Sequence, residues 1–156
     1  MSAAIDEQSL VQQLQQRKDV LEAKLTSARR ITVSVTPENY RSIVGYLAKQ
    51  CFEHVIAATC IDAGENVELL LHLGRSTVIT VKVKLPLINP EIESVVDLFP
   101  SMSIHEREAH DMMGIMFLNN PDLSRFMLSE DWPKDVHPLR KSFTPKVPEP
   151  VRRPGR

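Results

Sequence analysis

The densest ionisable cluster of this 156-residue chain is His105, Glu106, Arg107, Glu108, His110 and Asp111. Residues of these types can ligate a metal, share acid–base work between carboxylates, or pair with charges on a partner. A zinc-hydrolase helix needs its two histidines four apart on one face; His105 and His110 are five apart and diverge by about 140° on a helix. Glu106 and His110 do have the spacing of four, but two ligands do not make a site. Glu106 and Glu108, two apart, point in different directions and cannot flank one bond. Arg107 and Asp111 are spaced for an ion pair along one side of the helix. The cluster runs directly into Met112, Met113, Ile115, Met116, Phe117 and Leu118. Charges beside so large an apolar surface suit an interface, where arginine and acids orient a partner.

The element that must carry the cluster is a helix of about ten residues, ~15 Å long. Ser103 and Glu106 read as a capping box in front of it, and Gly114 as the residue that closes it. Upstream, Ile31, Val33 and Val35 alternate with Thr and Ser as a half-buried strand, and Thr36-Pro37 opens a helix whose face is Tyr40, Ile43, Val44, Leu47 and Cys51. Three strands follow, Val55 to Ile61, Val67 to Leu73 and Val78 to Leu85, joined by short turn-forming links at residues 62–66 and 74–76. The first of them contains Cys60, and the second contains His72, a structural residue with no predicted partner. Both cysteines are expected in the core, where a free thiol packs like a small hydrophobe. Asn89, Pro90, Glu91 and Glu93 predict a helix start, with Ile92, Val95, Val96 and Phe99 as its buried face. At the N-terminus, Leu10, Leu14, Leu21 and Leu25 predict an amphipathic helix from about Ser9 to Ser27, interrupted at Arg17 and Lys18.

The order strand, helix, three strands implies an α+β fold: a small, mainly antiparallel sheet with helices on one face. Seven of the eleven prolines lie after Leu118, which favours an extended C-terminal arm. The expected organisation is an N-terminal helix over 1–30, an α+β core over 31–118 and the arm over 119–156, docking on partner subunits. No internal repeat is present.

Composition narrows the function. Two cysteines nine positions apart suit neither an iron–sulfur cluster nor a structural zinc site, and they form no disulfide framework. A G-x-G-x-x-G is absent and there are only five glycines. The mostly apolar runs, Val55 to Ile61 and Met112 to Leu118, have seven residues each against the ~20 that cross a bilayer. The N-terminus lacks the basic stretch and apolar core of a signal peptide. The net charge of −1 conceals 14 basic against 19 acidic residues up to Arg140, then five basic against one acidic. An acidic domain with a basic, proline-rich arm is therefore expected, and the arm has too little apolar content to order away from a partner. Its cations lack interleaved aromatics, so nucleic-acid binding is not expected.

The string Glu106-Arg107-Glu108-Ala109-His110-Asp111-Met112-Met113-Gly114-Ile115, followed by residues 120–125, Leu128 to Pro133 and His137-Pro138-Leu139-Arg140-Lys141, resembles the C subunit of the peripheral arm of respiratory complex I. It is similar also to the corresponding subunits of deazaflavin-dependent dehydrogenases and energy-converting nickel–iron hydrogenases. The resemblance covers Glu106 to Phe143, and elsewhere is one of layout. It implies a non-catalytic structural and assembly subunit of a membrane-bound, ion-translocating oxidoreductase, clamped on a hydrogenase-like large subunit beside iron–sulfur subunits. The alternative it leaves open is the equivalent subunit of an energy-converting hydrogenase. No cofactor is expected on this chain; iron–sulfur clusters, with nickel–iron or quinone sites, belong to its neighbours. The location implied is peripheral, on the cytoplasmic side of the cell membrane, with no span.

Carried over by position, the resemblance implies interface roles for Glu106, Arg107, Glu108, Asp111, Arg125, Trp132, His137, Pro138, Leu139, Arg140 and Lys141. Arg140 and Arg125 suit bidentate contacts to carboxylates, and Trp132 a buried anchor. Asn120 stands where many members have histidine, so nothing is carried over there.

Overall fold

Alternation of apolar and polar residues builds the centre of the molecule, as the period of two requires. A computed structural model describes residues 6–145. Its elements are α1 (Glu7–Gln15), β1 (Glu22–Ser27), β2 (Arg30–Val35), α2 (Pro37–Lys49), β3 (His54–Asp62), β4 (Asn66–Gly74), β5 (Val78–Pro86), β6 (Glu91–Glu93), α3 (Met102–Met113) and β7 (Met116–Leu118). Strands β1 to β5 form one sheet in the order β1-β2-β5-β4-β3, antiparallel except where β2 lies parallel to β5. The α+β class and the mainly antiparallel sheet are as the sequence predicts.

One face of the sheet presents Ile31, Val33, Val35, Val67, Leu69, Leu71, Leu73, Ile79, Val81, Val83 and Leu85, all buried. Onto it pack Leu10 and Leu14 of α1 and Tyr40, Ile43, Val44 and Leu47 of α2. The other face carries cross-strand polar pairs: Thr26 bonds Thr32 at 2.8 Å, Lys82 pairs with Glu68 at 2.7 Å, and His72 Nδ1 meets Thr80 Oγ1 at 2.9 Å. His72 thus has a cross-strand partner.

Three expectations fail, each for a tertiary reason. The N-terminal helix ends at Gln15 instead of Ser27, because Arg17 turns out to pair with Asp19 and lies 4.3 Å from the Tyr46 ring centroid. Beyond it, Ala23 and Leu25 are also two apart, and pairing Ala23 with Val33 covers the free edge of β2. The helix expected after Asn89 is instead strand β6 followed by turns. Asn89 has φ +50°, Ile92 is buried between exposed or half-exposed Glu91 and Glu93, and β6 pairs in parallel with β7. Cys51 is not in the core: it follows α2 at φ +63° and is exposed, while the fully buried Phe52 fills the space. Cys60 does lie beneath other atoms, half-buried on β3, and burial pushes its thiol up to about 12.

Candidate functional site

Helix α3 is twelve residues long and runs from Met102 to Met113. Ser101, not Ser103, precedes it, and neither serine nor Glu106 forms the expected capping box. The end is as predicted: Gly114 stands at φ +69°, a left-handed conformation that glycine adopts without steric cost, and its amide donates to His110 O. Met102, Glu106, Ala109 and Met113 face inwards, three or four residues apart. The rest of the helix is wrapped by residues 119–143, a strap with little regular structure of its own.

Glu106 is fully buried and ties three segments together. Its Oε2 accepts from Ser94 Oγ and Asn120 Nδ2, both at 2.7 Å, and its Oε1 accepts from Val95 N at 2.9 Å. Burial pushes its carboxyl above the usual range, and the three donors oppose that rise. Burial, then the same carboxylate, push the enclosed Tyr40 hydroxyl well up, so it stays protonated.

Arg107 and Asp111 do not form the ion pair that their spacing suggests. Arg107 Nε donates to Ser124 O at 2.9 Å and Nη2 to Arg125 O at 3.0 Å, with the guanidinium 5.0 Å from the Phe126 ring centroid. Asp111 Oδ2 accepts from Phe126 N and Met127 N, both at 2.8 Å. Burial raises the Asp111 carboxyl, but the amides of Phe126, Met127 and Leu128 more than offset it and hold the group below its ordinary range. The strap backbone has no strand beside it, and its buried amides and carbonyls still need partners. A guanidinium takes the carbonyls and a carboxylate takes the amides.

The last carbonyls of a helix lack intrahelical donors. Here the segment His137 to Arg140 supplies them: His137 Nδ1 meets Asp111 O at 2.9 Å, Leu139 N donates to Met112 O at 3.1 Å, and Arg140 Nε donates to Met113 O at 2.6 Å. Arg140 Nη1 also reaches Leu87 O at 3.1 Å. A cation at this end is favoured by the helix dipole as well. The expected carboxylate contact of Arg140 is thus replaced by carbonyls, and so is that of Arg125, whose Nη1 donates to Ser129 O and Trp132 O. A Cβ on residue 114 would lie 2.5 Å from His137 Nε2, so glycine there satisfies both the backbone angle and the ring.

The remaining signature residues complete the strap. Trp132 is half-buried, donates from Nε1 to Val136 O at 2.8 Å and tilts against Phe143 at 5.9 Å. Pro138 is half-buried, Leu139 is exposed, and Lys141 N donates to Asp62 Oδ2 at 2.8 Å. The strap through residue 145 thereby packs on its own domain; the basic segment from Lys146 onward lies outside the described residues. Glu108, also in the signature, is half-buried and makes no hydrogen bond or ion pair among the described residues. Among the described residues no cluster of three or more His, Cys, Asp or Glu is placed to hold a metal.

Two participants are not legible as such in the sequence pattern. Ser94 carries no signal. Asn120 carries one in its Asn-Pro-Asp context, since its Oδ1 accepts from Asp122 N at 2.8 Å in an Asx turn.

Residues 33–149 match the family described as the respiratory-chain NADH dehydrogenase, 30 Kd subunit. The C subunit of NADH-quinone oxidoreductase from Moorella thermoacetica is 38% identical over 101 residues, 61% of this chain and 66% of that one. The C subunit of F(420)H(2) dehydrogenase from Methanosarcina mazei is 31% identical over 130 residues, 80% of this chain and 82% of that one. The match to the NADH-quinone oxidoreductase C subunit of a Nocardioides species spans 29% of that protein's length. Among solved structures, a chain of the membrane-bound sulfane sulfur reductase, an archaeal respiratory membrane complex, superposes with a TM-score of 0.78 at 24% identity, covering 88% of this chain and 85% of that one. A trypsin-resistant fragment of Nqo5 gives 0.64 at 20%, covering 74% and 98%. At such identities these two likenesses establish the shared fold.

Proposed function

The chain belongs to the family of the 30 kDa subunit of respiratory-chain NADH dehydrogenase, and on that premise we propose that it is a non-catalytic docking subunit in the peripheral arm of a membrane-bound oxidoreductase complex. The relatives named above are subunits of multi-subunit respiratory oxidoreductases. The observation that carries the reading is how the signature is used. Glu106, Arg107, Asp111, Arg125 and Arg140 are all hydrogen-bonded within the chain, mostly to backbone groups of the strap. Ionisable groups held in this way rigidify a surface. Around them Ile104, Phe126, Met127 and Leu139 are exposed, an apolar content that suits a partner.

The partners in this reading are a hydrogenase-like large subunit and iron–sulfur subunits, which hold the redox groups. No helix among the described residues is long and apolar enough to cross a membrane. Attachment is therefore peripheral in this proposal, on the cytoplasmic face.

Purification of the native complex through a tag on this chain tests the reading. The expected result is co-purification with the large and iron–sulfur subunits, and an isolated chain without iron or visible absorption. Recovery of the chain alone, or a stoichiometric chromophore on it, would overturn the proposal.

A further inference from the structure

Glu108 differs from Glu106, Arg107 and Asp111 on α3. Its side chain is half-buried, yet it makes no hydrogen bond or ion pair among the described residues. It lines a cleft of about 130 Å³ between α3 and β3, with Ala58, Thr59 and Cys60 on the strand side, His105 and Met112 on the helix side and Leu139 at the end. Ile104, one turn earlier on the same side of α3, is 52% exposed, and Leu139, bonded to Met112 O, is 54% exposed. The Glu108 carboxylate, with His105 lining the same cleft but not bonded to it, thus sits between two exposed aliphatic side chains. Covering those side chains is favourable, but it would also strip water from the carboxylate unless the covering surface supplied a cation. Among the described residues the two nearest arginines of the signature are committed elsewhere, Arg107 to the Ser124 and Arg125 carbonyls and Arg140 to those of Met113 and Leu87.

We propose that Ile104, Glu108 and Leu139 form the contact by which this chain docks on another subunit of its complex, and that the partner places an arginine against Glu108 with aliphatic residues over Ile104 and Leu139. The inference rests on the reading of the chain as a docking subunit; it singles out Glu108 and Leu139 from the signature, joins Ile104 to them and adds the chemistry of the partner. A guanidinium suits the position better than an ammonium, because it is weakly hydrated and can address both carboxylate oxygens at once. The arginines and Asp111 of the signature hold the strap that carries Leu139, and Glu108 takes no part in that bonding.

The test replaces the chain in the native complex by full-length Glu108→Gln, Glu108→Lys or Leu139→Ser variants and measures the chain retained per complex after purification at increasing salt. Thermal melts of the isolated variants run alongside. Glu108→Gln is expected to weaken retention about tenfold and Glu108→Lys further, with Tm unchanged to within about 2 °C. Retention of Glu108→Lys at the wild-type level overturns the contact, and so does a Tm that falls in step with retention. If the wild-type chain itself is not retained with other subunits, the docking reading fails and this contact with it; wild-type retention with an indifferent Glu108→Lys removes the contact alone.

Discussion

Glu106 and Asp111 show how one residue type takes opposite electrostatic roles on the same helix. Both carboxylates are buried, but Glu106 is deep enough for desolvation to win, whereas the amides around Asp111 win there. The signs of their pH linkage therefore differ. Asp111, depressed in the folded state, contributes stability that is present above the ordinary carboxylate value, about 3.9, and lost as pH falls through its folded value. Glu106, raised in the folded state, contributes stability that declines as pH climbs from about 4.3 through its folded value. Thermal melts between pH 3 and 7 should accordingly show Asp111→Asn with a flatter acid limb than wild type, and a lower Tm at neutral pH by the loss of about 2 kcal/mol. Glu106→Ala leaves Val95 N, Ser94 Oγ and Asn120 Nδ2 facing a void and should cost about 3 kcal/mol. Glu106→Gln keeps the acceptor for Val95 and should cost less than half as much by denaturant titration. Gly114→Ala combines a strained φ with a methyl against the His137 ring; a loss of about 2 kcal/mol or more is expected, together with a displaced strap.

At the scale of elements, α3 and the strap are a single cooperative unit. The strap lacks a sheet of its own, and its attachment is a set of backbone groups answered by Arg107, Asp111 and the C-terminal carbonyls of α3. Hydrogen exchange should find the Phe126, Met127 and Leu139 amides protected. Arg107→Ala should raise exchange across 124–128 while leaving β4 and β5 unchanged, which sit in the core. Equal loss of protection throughout would mean that the strap and sheet unfold together. The sheet and α2 were legible element by element, because their buried residues repeat at two and at three to four positions within a few neighbours. Residues 21–27 and 90–99 were not. Each satisfied a helical spacing, and each was decided by a strand lying elsewhere in the chain, β2 and β7 respectively.

For the whole molecule, the separation of charge matters more than its sum. Nineteen of the twenty acidic residues lie at or before Arg140, and five cations follow it. Part of that acidity is answered by ion pairs, Arg17 with Asp19, Arg41 with Asp97 and Lys82 with Glu68. Glu108 has no such partner among the described residues, and its substitution should change assembly in the complex, while Arg107→Ala loosens the strap first. What the sequence determined by itself was strands β2 to β5, the glycine stop of α3 and the family signature with its near absence of thiols. The tertiary structure alone decided what the signature is for within the chain, a brace in which helix α3 and the strap satisfy each other. The physical reason lies in the partners. Side-chain periodicity is written in local residue types, but the carbonyls and amides that Arg107, Asp111 and Arg140 engage are the same at every position of every chain. Which of them arrive at α3 depends on how the backbone returns, and no residue type announces that.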